Sequence, residues 1–229
     1  MEILSKTKLF IKKAVGKAPN VSIQNHVPHQ VYGSEYGGWP AINNSLNANS
    51  VVYSFGLGED ISFDLSIIDH FACSVYGFDP TPRVHEWLSH QSIPDNFKAY
   101  PWGLSTTDGS IRLYAPENPE HISHSINPGV KSNEDYIEVP SKRFKSIQQE
   151  LGHTRVDVLK MDIEGFEYGV IDDLLTGKNL PKQILIEFHH LMYSFSLEDT
   201  NRAIKKLNDA GYAIYYISQT GREFGFLRE

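Results

Sequence analysis

Apolar residues arrive in short unbroken blocks along much of this chain. "VVYSF" (51–55), "CSVYGF" (73–78), "VDVLKM" (156–161) and "QILIEF" (183–188) carry little polar alternation, as strands buried on both faces do. Between the blocks the spacing changes to that of helices. Ile61, Leu65, Ile68 and Ala72 form one such stripe, and Phe166, Val170, Ile171, Leu174 and Leu175 form another. A helix around Arg83 to His90 follows Pro80, and Ser196 with Asp199 resembles a capping box for a helix running to Ala210, closed by Gly211. Strand and helix therefore alternate, which predicts an α/β fold with a mostly parallel sheet covered on both faces. "YAIYYIS" and "REFGFLR" flank "QTG" and read as an antiparallel pair at the end.

Three further features sit between the second and third blocks. "FKAYPWGLS" (97–105) reads as a third strand, and Asp108-Gly109 lies between two extended runs, a hairpin signal. Residues 115–135, rich in Pro and Asn, read as a long surface loop, and loops of that length are functional covers or disordered segments.

The chain has 229 residues and 40% hydrophobic content. A domain of that size buries roughly 70% of its unfolded surface, so one core suffices. Net charge −7 excludes a dedicated nucleic-acid binder, whose footprint would be basic. Cys73 is the single cysteine, so no internal disulfide can form and a reducing, cytoplasmic setting is expected. No run approaches the ~20 apolar residues of a membrane span. Residues 1–34 read as a basic, partly helical extension, and 35–229 as the domain itself. In the extension Leu4, Ile11, Ala14 and Val15 make one helical stripe with lysines opposite. Such a helix either docks on its own domain or lies on an anionic membrane surface.

The candidate chemistry lies where the strands finish. "GLGED", "FDPTP", "MDIEG" and "EFHH" each end a block, and open α/β sheets bind ligands beyond the carboxyl ends of their strands. Gly56 and Gly58 allow a tight turn and close backbone approach. The third glycine of a dinucleotide fingerprint is absent, because Ile61 stands there. Glu59 and Asp60 would repel a pyrophosphate and welcome a cation, so the ligand is expected to be adenosine-like and positively charged. Asp79 follows the glycines by about 20 residues, the spacing of an acid that bonds ribose hydroxyls, and it also suits a helix N-cap.

"VVYSFGLGEDISFD", "GFDPTP", "VLKMDIEGFE" and "ILIEFHH" together resemble the FkbM family of S-adenosylmethionine-dependent methyltransferases. The resemblance runs over about residues 35–228 and is most specific in Lys160, Asp162, Ile163, Glu164, Gly165 and Glu167. It implies the class I methyltransferase fold, a Rossmann-like three-layer sandwich whose seven-stranded sheet has an antiparallel last strand. It also implies S-adenosylmethionine as cofactor, along Phe55, Gly56, Gly58, Glu59 and Asp60, with Asp79 and Pro80 at the ribose. Trp102 and Gly103 would lie near the adenine, and Met161 and Asp162 near the methyl group. The implied reaction is O-methylation of a hydroxyl on a small-molecule or glycan acceptor.

Taking the hydroxyl proton needs a base, and Asp162, Glu187 and His189 are the candidates; histidine titrates nearest neutrality. On a strand Glu187 and His189 share one face, so Glu187 is placed to orient His189. Glu164 and Glu167 are expected as charges favoured at a helix N-terminus, with Lys160 pairing one of them. Asp162, Glu187 and His189 would also suit Mg²⁺ or Mn²⁺, although no spacing motif demands a metal. Tyr36, Trp39, Glu164 and His189 are the expected acceptor contacts. An NAD-dependent sugar-modifying enzyme and a metal-dependent glycosyltransferase are the rival readings. The glycine and acid pattern opposes the first, and the second leaves the glycine loop unexplained.

Overall fold

The computed structural model describes the backbone of residues 2–114 and 136–229, and the side chains of residues 7–114 and 136–229. The expected loop 115–135 lies outside the described residues. The elements run α1 (Glu2–Ala14), β1 (His29–Tyr32), β2 (Trp39–Ile42), β3 (Val51–Phe55), α2 (Ser62–Phe71), β4 (Ser74–Phe78), α3 (Pro82–Ser89), β5 (Phe97–Tyr100) and β6 (Gly103–Leu104). They continue as β7 (Gly109–Tyr114), β8 (Tyr136–Lys142), α4 (Phe144–Leu151), β9 (Val158–Met161), α5 (Glu167–Leu175), β10 (Gln183–Glu187), α6 (Leu197–Asp209), β11 (Tyr212–Ile217) and β12 (Glu223–Arg228).

Seven strands form the main sheet in the order β11-β12-β10-β9-β3-β4-β5. β3, β4, β5, β9 and β10 are parallel, and β12 alone runs against both of its neighbours, β10 and β11. This is the doubly wound arrangement that the alternating blocks predict, with the chain reversing direction across the sheet between β3 and β9. Alternate side chains feed two cores. Leu159 and Met161 of β9 join Ile184 and Ile186 beneath α4, α5 and α6, while Val158 and Leu185 pack with Val52, Val75 and the α2 residues Phe63 and Ile67. The period of two along each strand makes this division, and it puts Lys160 and Glu187 on the α2 side.

Two expectations need correction. "FKAYPWGLS" is not one strand: β5 stays in the main sheet, whereas β6 pairs with β8 in a separate sheet ordered β6-β8-β7. Nor do the runs around Asp108-Gly109 pair with each other, because both lie against β8, β6 parallel to it and β7 antiparallel. Asp108 is otherwise engaged. Its Oδ1 accepts from the Arg143 N–H at 2.9 Å and its Oδ2 from the Ser146 hydroxyl at 2.7 Å, so it holds the entry to α4. The capping box of α6 is present as expected, with Ser196 and Asp199 bonded reciprocally.

Candidate functional site

The parallel strands finish together. Phe55 is level with Phe78 on one side and Met161 on the other, and Met161 is level with Ile186. Gly56, Asp79 and Asp162 are therefore the first residues past a single sheet edge, level with Glu187, the last residue of β10. The Gly56 N–H donates to the Phe78 carbonyl at 3.0 Å and the Asp162 N–H to the Phe55 carbonyl at 3.2 Å, drawing the three strand ends together.

Gly56 and Gly58 act differently there. At Gly56, φ is +75° and a Cβ would run into the Asp162 carbonyl oxygen, so the glycine lets β3 and β9 close on each other. At Gly58, φ is +56° and a Cβ would meet nothing within 4 Å. The backbone there faces open space. Its N–H donates to Asp79 Oδ2 at 3.1 Å, while Asp79 Oδ1 accepts from the Thr81 N–H at 3.0 Å and the Thr81 hydroxyl. Asp79 is thus both the local anchor of the α3 entry and a carboxylate beside the open face of Gly58.

On the other flank four carboxylates surround one histidine. Glu167, in the first turn of α5, is fully buried. Its Oε1 accepts from the His189 N–H and from His189 Nδ1, each at 2.9 Å, and its Oε2 accepts from the Gly165 N–H at 2.9 Å. That fixes the ring, whose Nε2 then points at Glu164 Oε2 (3.2 Å) and Asp162 Oδ1 (3.7 Å). Burial works against a charge on His189, but the carboxylates of Glu164 and Glu167 outweigh it and push the imidazole up to about 11. The ring is a cation at neutral pH. Burial raises the Asp162 carboxyl to about 6, with Lys160 and His189 pulling the other way, and a third of its side chain (32%) stays open to solvent. Glu187 is raised to about 8 by burial and by Asp162 beside it. Too many carboxylates share too little positive charge.

The orienting carboxylate is therefore Glu167, not Glu187. β10 ends at Glu187, so the strand alternation does not carry on to His189. Lys160 does not pair with Glu164 or Glu167 either. Its Nζ donates to the carbonyls of Gly56 (2.6 Å) and Phe55 (3.3 Å) on the α2 side, with the Trp39 ring 5.4 Å away. Tyr193 is a site residue that the sequence alone does not reveal: its hydroxyl donates to Glu164 Oε2 at 2.6 Å. Glu164, Leu191, Tyr193 and Ser194 all have positive φ, so strained backbone gathers in the two loops that carry this contact.

The remaining expected residues fall into four groups. Phe55 and Met161 are core: Phe55 stacks on Phe78 at 4.3 Å and Met161 is fully buried, so only their backbones reach the edge. Pro80 lies beside Gly103, and Trp102 stacks on Tyr100 at 4.7 Å with Lys142 Nζ 4.3 Å from its ring. Glu59 pairs with Arg83 at 2.6 Å, and Asp60 is held by Ser34 (2.7 Å) and Ser62 (2.8 Å), packed against Gly37. Trp39 is buried, while Tyr36 is almost wholly exposed. A solvent-open groove of about 420 Å³ between α5 and α6, lined by Asp172, Leu175, Lys206 and Asp209, lies towards the other end of α5.

Chemically the edge offers an open backbone face with a ribose-type carboxylate at Gly58 and Asp79, and beside it a carboxylate-rich niche that favours a cation. Asp162, Glu164 and His189 present ligand atoms all within 4.8 Å of one another, a set that can also hold a metal ion.

The family model described as "Methyltransferase FkbM domain" matches residues 40–214. Among curated proteins the chain is 28% identical over 141 residues to the rat "Probable methyltransferase-like protein 24", covering 60% of this chain and 32% of the relative. The human protein of the same name is 24% identical over 161 residues, covering 69% and 37%. The chain spans about a third of the length of these relatives. Among solved structures, a fibrillarin of Aeropyrum pernix with natively bound S-adenosyl-L-methionine aligns with TM-score 0.43 at 13% identity, over 92% of this chain and 84% of that one. A fibrillarin pre-rRNA processing protein of Methanococcus jannaschii aligns with TM-score 0.46 at 12% identity, over 93% and 87%.

Proposed function

Because the chain belongs to the FkbM methyltransferase family, whose methyl donor is S-adenosylmethionine, we propose that it transfers that methyl to a hydroxyl oxygen of a sugar, glycan or related natural product. The observation that carries this reading is the shared edge. The open face of Gly58 and the Asp79 carboxylate stand in line with the cation-seeking group of Asp162, Glu164 and Glu187. The donor set fits the cofactor, since the Asp79 carboxylate lies beside the open backbone of Gly58, where ribose hydroxyls would approach it, and the unbalanced carboxylates suit a sulfonium.

S-Adenosylmethionine supplies an electrophilic methyl, whose bond to sulfur breaks as the bond to oxygen forms, leaving a neutral thioether. The chain's part is alignment and proton removal. Burial and mutual repulsion leave Glu187 protonated up to about 8 and let Asp162 ionise from about 6. The ionised member, titrating near neutrality, accepts the proton from the acceptor hydroxyl. His189 is not the base in this reading. Held as a cation by Glu164 and Glu167, it fixes Asp162 and Glu164 in place and is itself positioned by Glu167. In this reading Glu164, Tyr193, Tyr36 and His189 are the groups assigned to the acceptor.

A metal-assisted variant is the second reading, favoured by the Asp162, Glu164 and His189 set. A divalent ion there would acidify the hydroxyl directly. Transfer of labelled methyl onto fractions of glycans, lipids and protein tests the function, with and without EDTA and added Mn²⁺. Label in an alkali-stable ether, lost in Asp162→Asn, supports O-methylation; label only on nitrogen or carbon defeats it.

A further inference from the structure

We propose that α1 is a docking helix for an anionic lipid bilayer, and that it presents the catalytic edge to an acceptor hydroxyl carried at that membrane surface. The acceptor class rests on the reading given above; the docking surface does not.

Thr7, Phe10, Ile11, Ala14 and Val15 are all exposed and recur at the i, i+3, i+4, i+7 spacing of a single helical face. Phe10 and Ile11 of α1 and Val15 just after it are 72%, 54% and 60% exposed, so three apolar side chains here face water. The opposite face is already spoken for. Leu9 and Ala18 close over Gly221, Lys12 Nζ donates to the Thr220 carbonyl at 3.1 Å, and Lys13 Nζ donates to the Val21 carbonyl. α1 is thus held on the protein by one side and leaves an apolar stripe uncovered on the other.

Charge says what covers it. The first 17 residues hold five lysines and one glutamate, in a chain whose net charge is −7. On the helix the exposed Lys8 lies at one edge of the stripe, with the exposed Lys17 just beyond its end, while Lys12 and Lys13 are turned to the protein. An apolar face bordered by lysines matches the interface of a bilayer with acidic headgroups. A two-fold contact of this face with the same face of a second copy would instead set lysine against lysine. No described helix is long and apolar enough to cross a membrane, so the contact is peripheral.

The position of α1 gives the contact its use. The turn that it grips, at Thr220 and Gly221, joins β11 to β12. Arg222, the next residue, lies 4.0 Å from Glu187, and its carbonyl accepts from the Phe188 N–H at 3.0 Å. The backbone at Lys17 lies beside the His190 ring, adjacent to His189. A bilayer under α1 therefore lies near the rim of the strand-end site, where a lipid-anchored hydroxyl can enter without leaving the membrane.

The test is co-sedimentation of the full chain with large vesicles of phosphatidylcholine alone or with one quarter phosphatidylglycerol, beside the variant Phe10→Glu/Ile11→Glu/Val15→Glu. The expected result is binding to the acidic vesicles that weakens with salt, and an at least ~10-fold weaker partition for the variant. Thermal stabilisation by S-adenosylhomocysteine should be the same in both proteins, which shows the variant folded. If that stabilisation is missing from the wild type while vesicle binding persists, the functional reading fails and the docking surface stands. Equal partition of both proteins, or no binding, overturns the proposal. So does a dimer in light scattering that the triple substitution dissolves. For the acceptor class, labelled methyl should enter the organic-soluble fraction of vesicles made from a total lipid extract; label confined to water-soluble material overturns it.

Discussion

Glu167 Oε1 accepts two hydrogen bonds from His189, one from its backbone N–H and one from Nδ1, each at 2.9 Å. The two residues come from different elements, α5 and the segment after β10, so the pair ties the strand-end loops to the helix layer. Glu167→Ala leaves a buried imidazolium without its main partner, and a change of this kind costs about 3–5 kcal/mol. Glu167→Gln keeps one acceptor and should recover part of that loss. Urea unfolding measures the cost. Proton NMR of His189 adds a readout that mere packing would not move, since its titration should fall well below about 11 in the Gln variant.

The two strand-end glycines should separate folding from binding. Gly56→Ala drives a methyl group into the Asp162 carbonyl at positive φ, so it should unfold the protein or lower its stability by at least ~3 kcal/mol. Gly58→Ala meets no neighbour, so only the left-handed backbone cost of about 1–2 kcal/mol applies. Its effect should appear in cofactor affinity, because the new methyl occupies the open face. Paired thermal melts with and without S-adenosylhomocysteine distinguish the two outcomes.

Stability of the cofactor-free protein should fall as pH rises. Asp162 and Glu187 keep their protons in the folded chain up to about 6 and about 8, whereas in the unfolded chain they ionise near 4. The folded state then binds more protons across that window, and stability declines with pH wherever this holds. His189 adds to the trend: its contribution is full below about 6.5 and is lost as pH climbs towards about 11. Urea midpoints measured from about pH 5 to about pH 9 should therefore decrease, and a flat profile would contradict the crowding of these carboxylates. Binding of the sulfonium cofactor should strengthen between about pH 6 and pH 8 with release of protons, visible by calorimetry in buffers of different ionisation enthalpy.

Asp108 offers a test of the corrected local structure. Asp108→Ala removes the acceptors for the Arg143 N–H and the Ser146 hydroxyl, and loss of such a helix-entry contact costs about 1 kcal/mol. A turn residue of a β6–β7 hairpin would instead tolerate alanine with little change. Chemical denaturation decides between them.

The sheet was legible in the chain because its parallel strands are buried on both faces and read as solid apolar blocks, as "VDVLKM" and "QILIE" do. The strand-end rule then located Gly56, Asp79, Asp162 and Glu187 on one edge before any coordinates. What stayed hidden depends on contacts between distant residues. A glutamate in the first turn of a helix reads as a charge favoured by the dipole, and nothing local says that Glu167 is buried against a histidine 22 positions away. Tyr193 was equally silent, since it meets Glu164 across 29 residues. β1 and β2 are four residues each and too short to show a period, and β8 finds its partner β7 across residues 115–135, which hides the pairing from any local turn signal.

Calorimetry with two cofactor forms tests the central claim most directly. S-Adenosylmethionine carries the sulfonium charge and S-adenosylhomocysteine does not, while both carry the ribose that Asp79 would hold. Asp162→Asn should weaken the charged form by about 10-fold or more, roughly 1.4 kcal/mol, and the neutral form by much less, whereas Asp79→Asn should weaken both alike. Equal losses for the two forms in Asp162→Asn, or no binding of either by the wild-type chain, would contradict a cation niche at this strand edge.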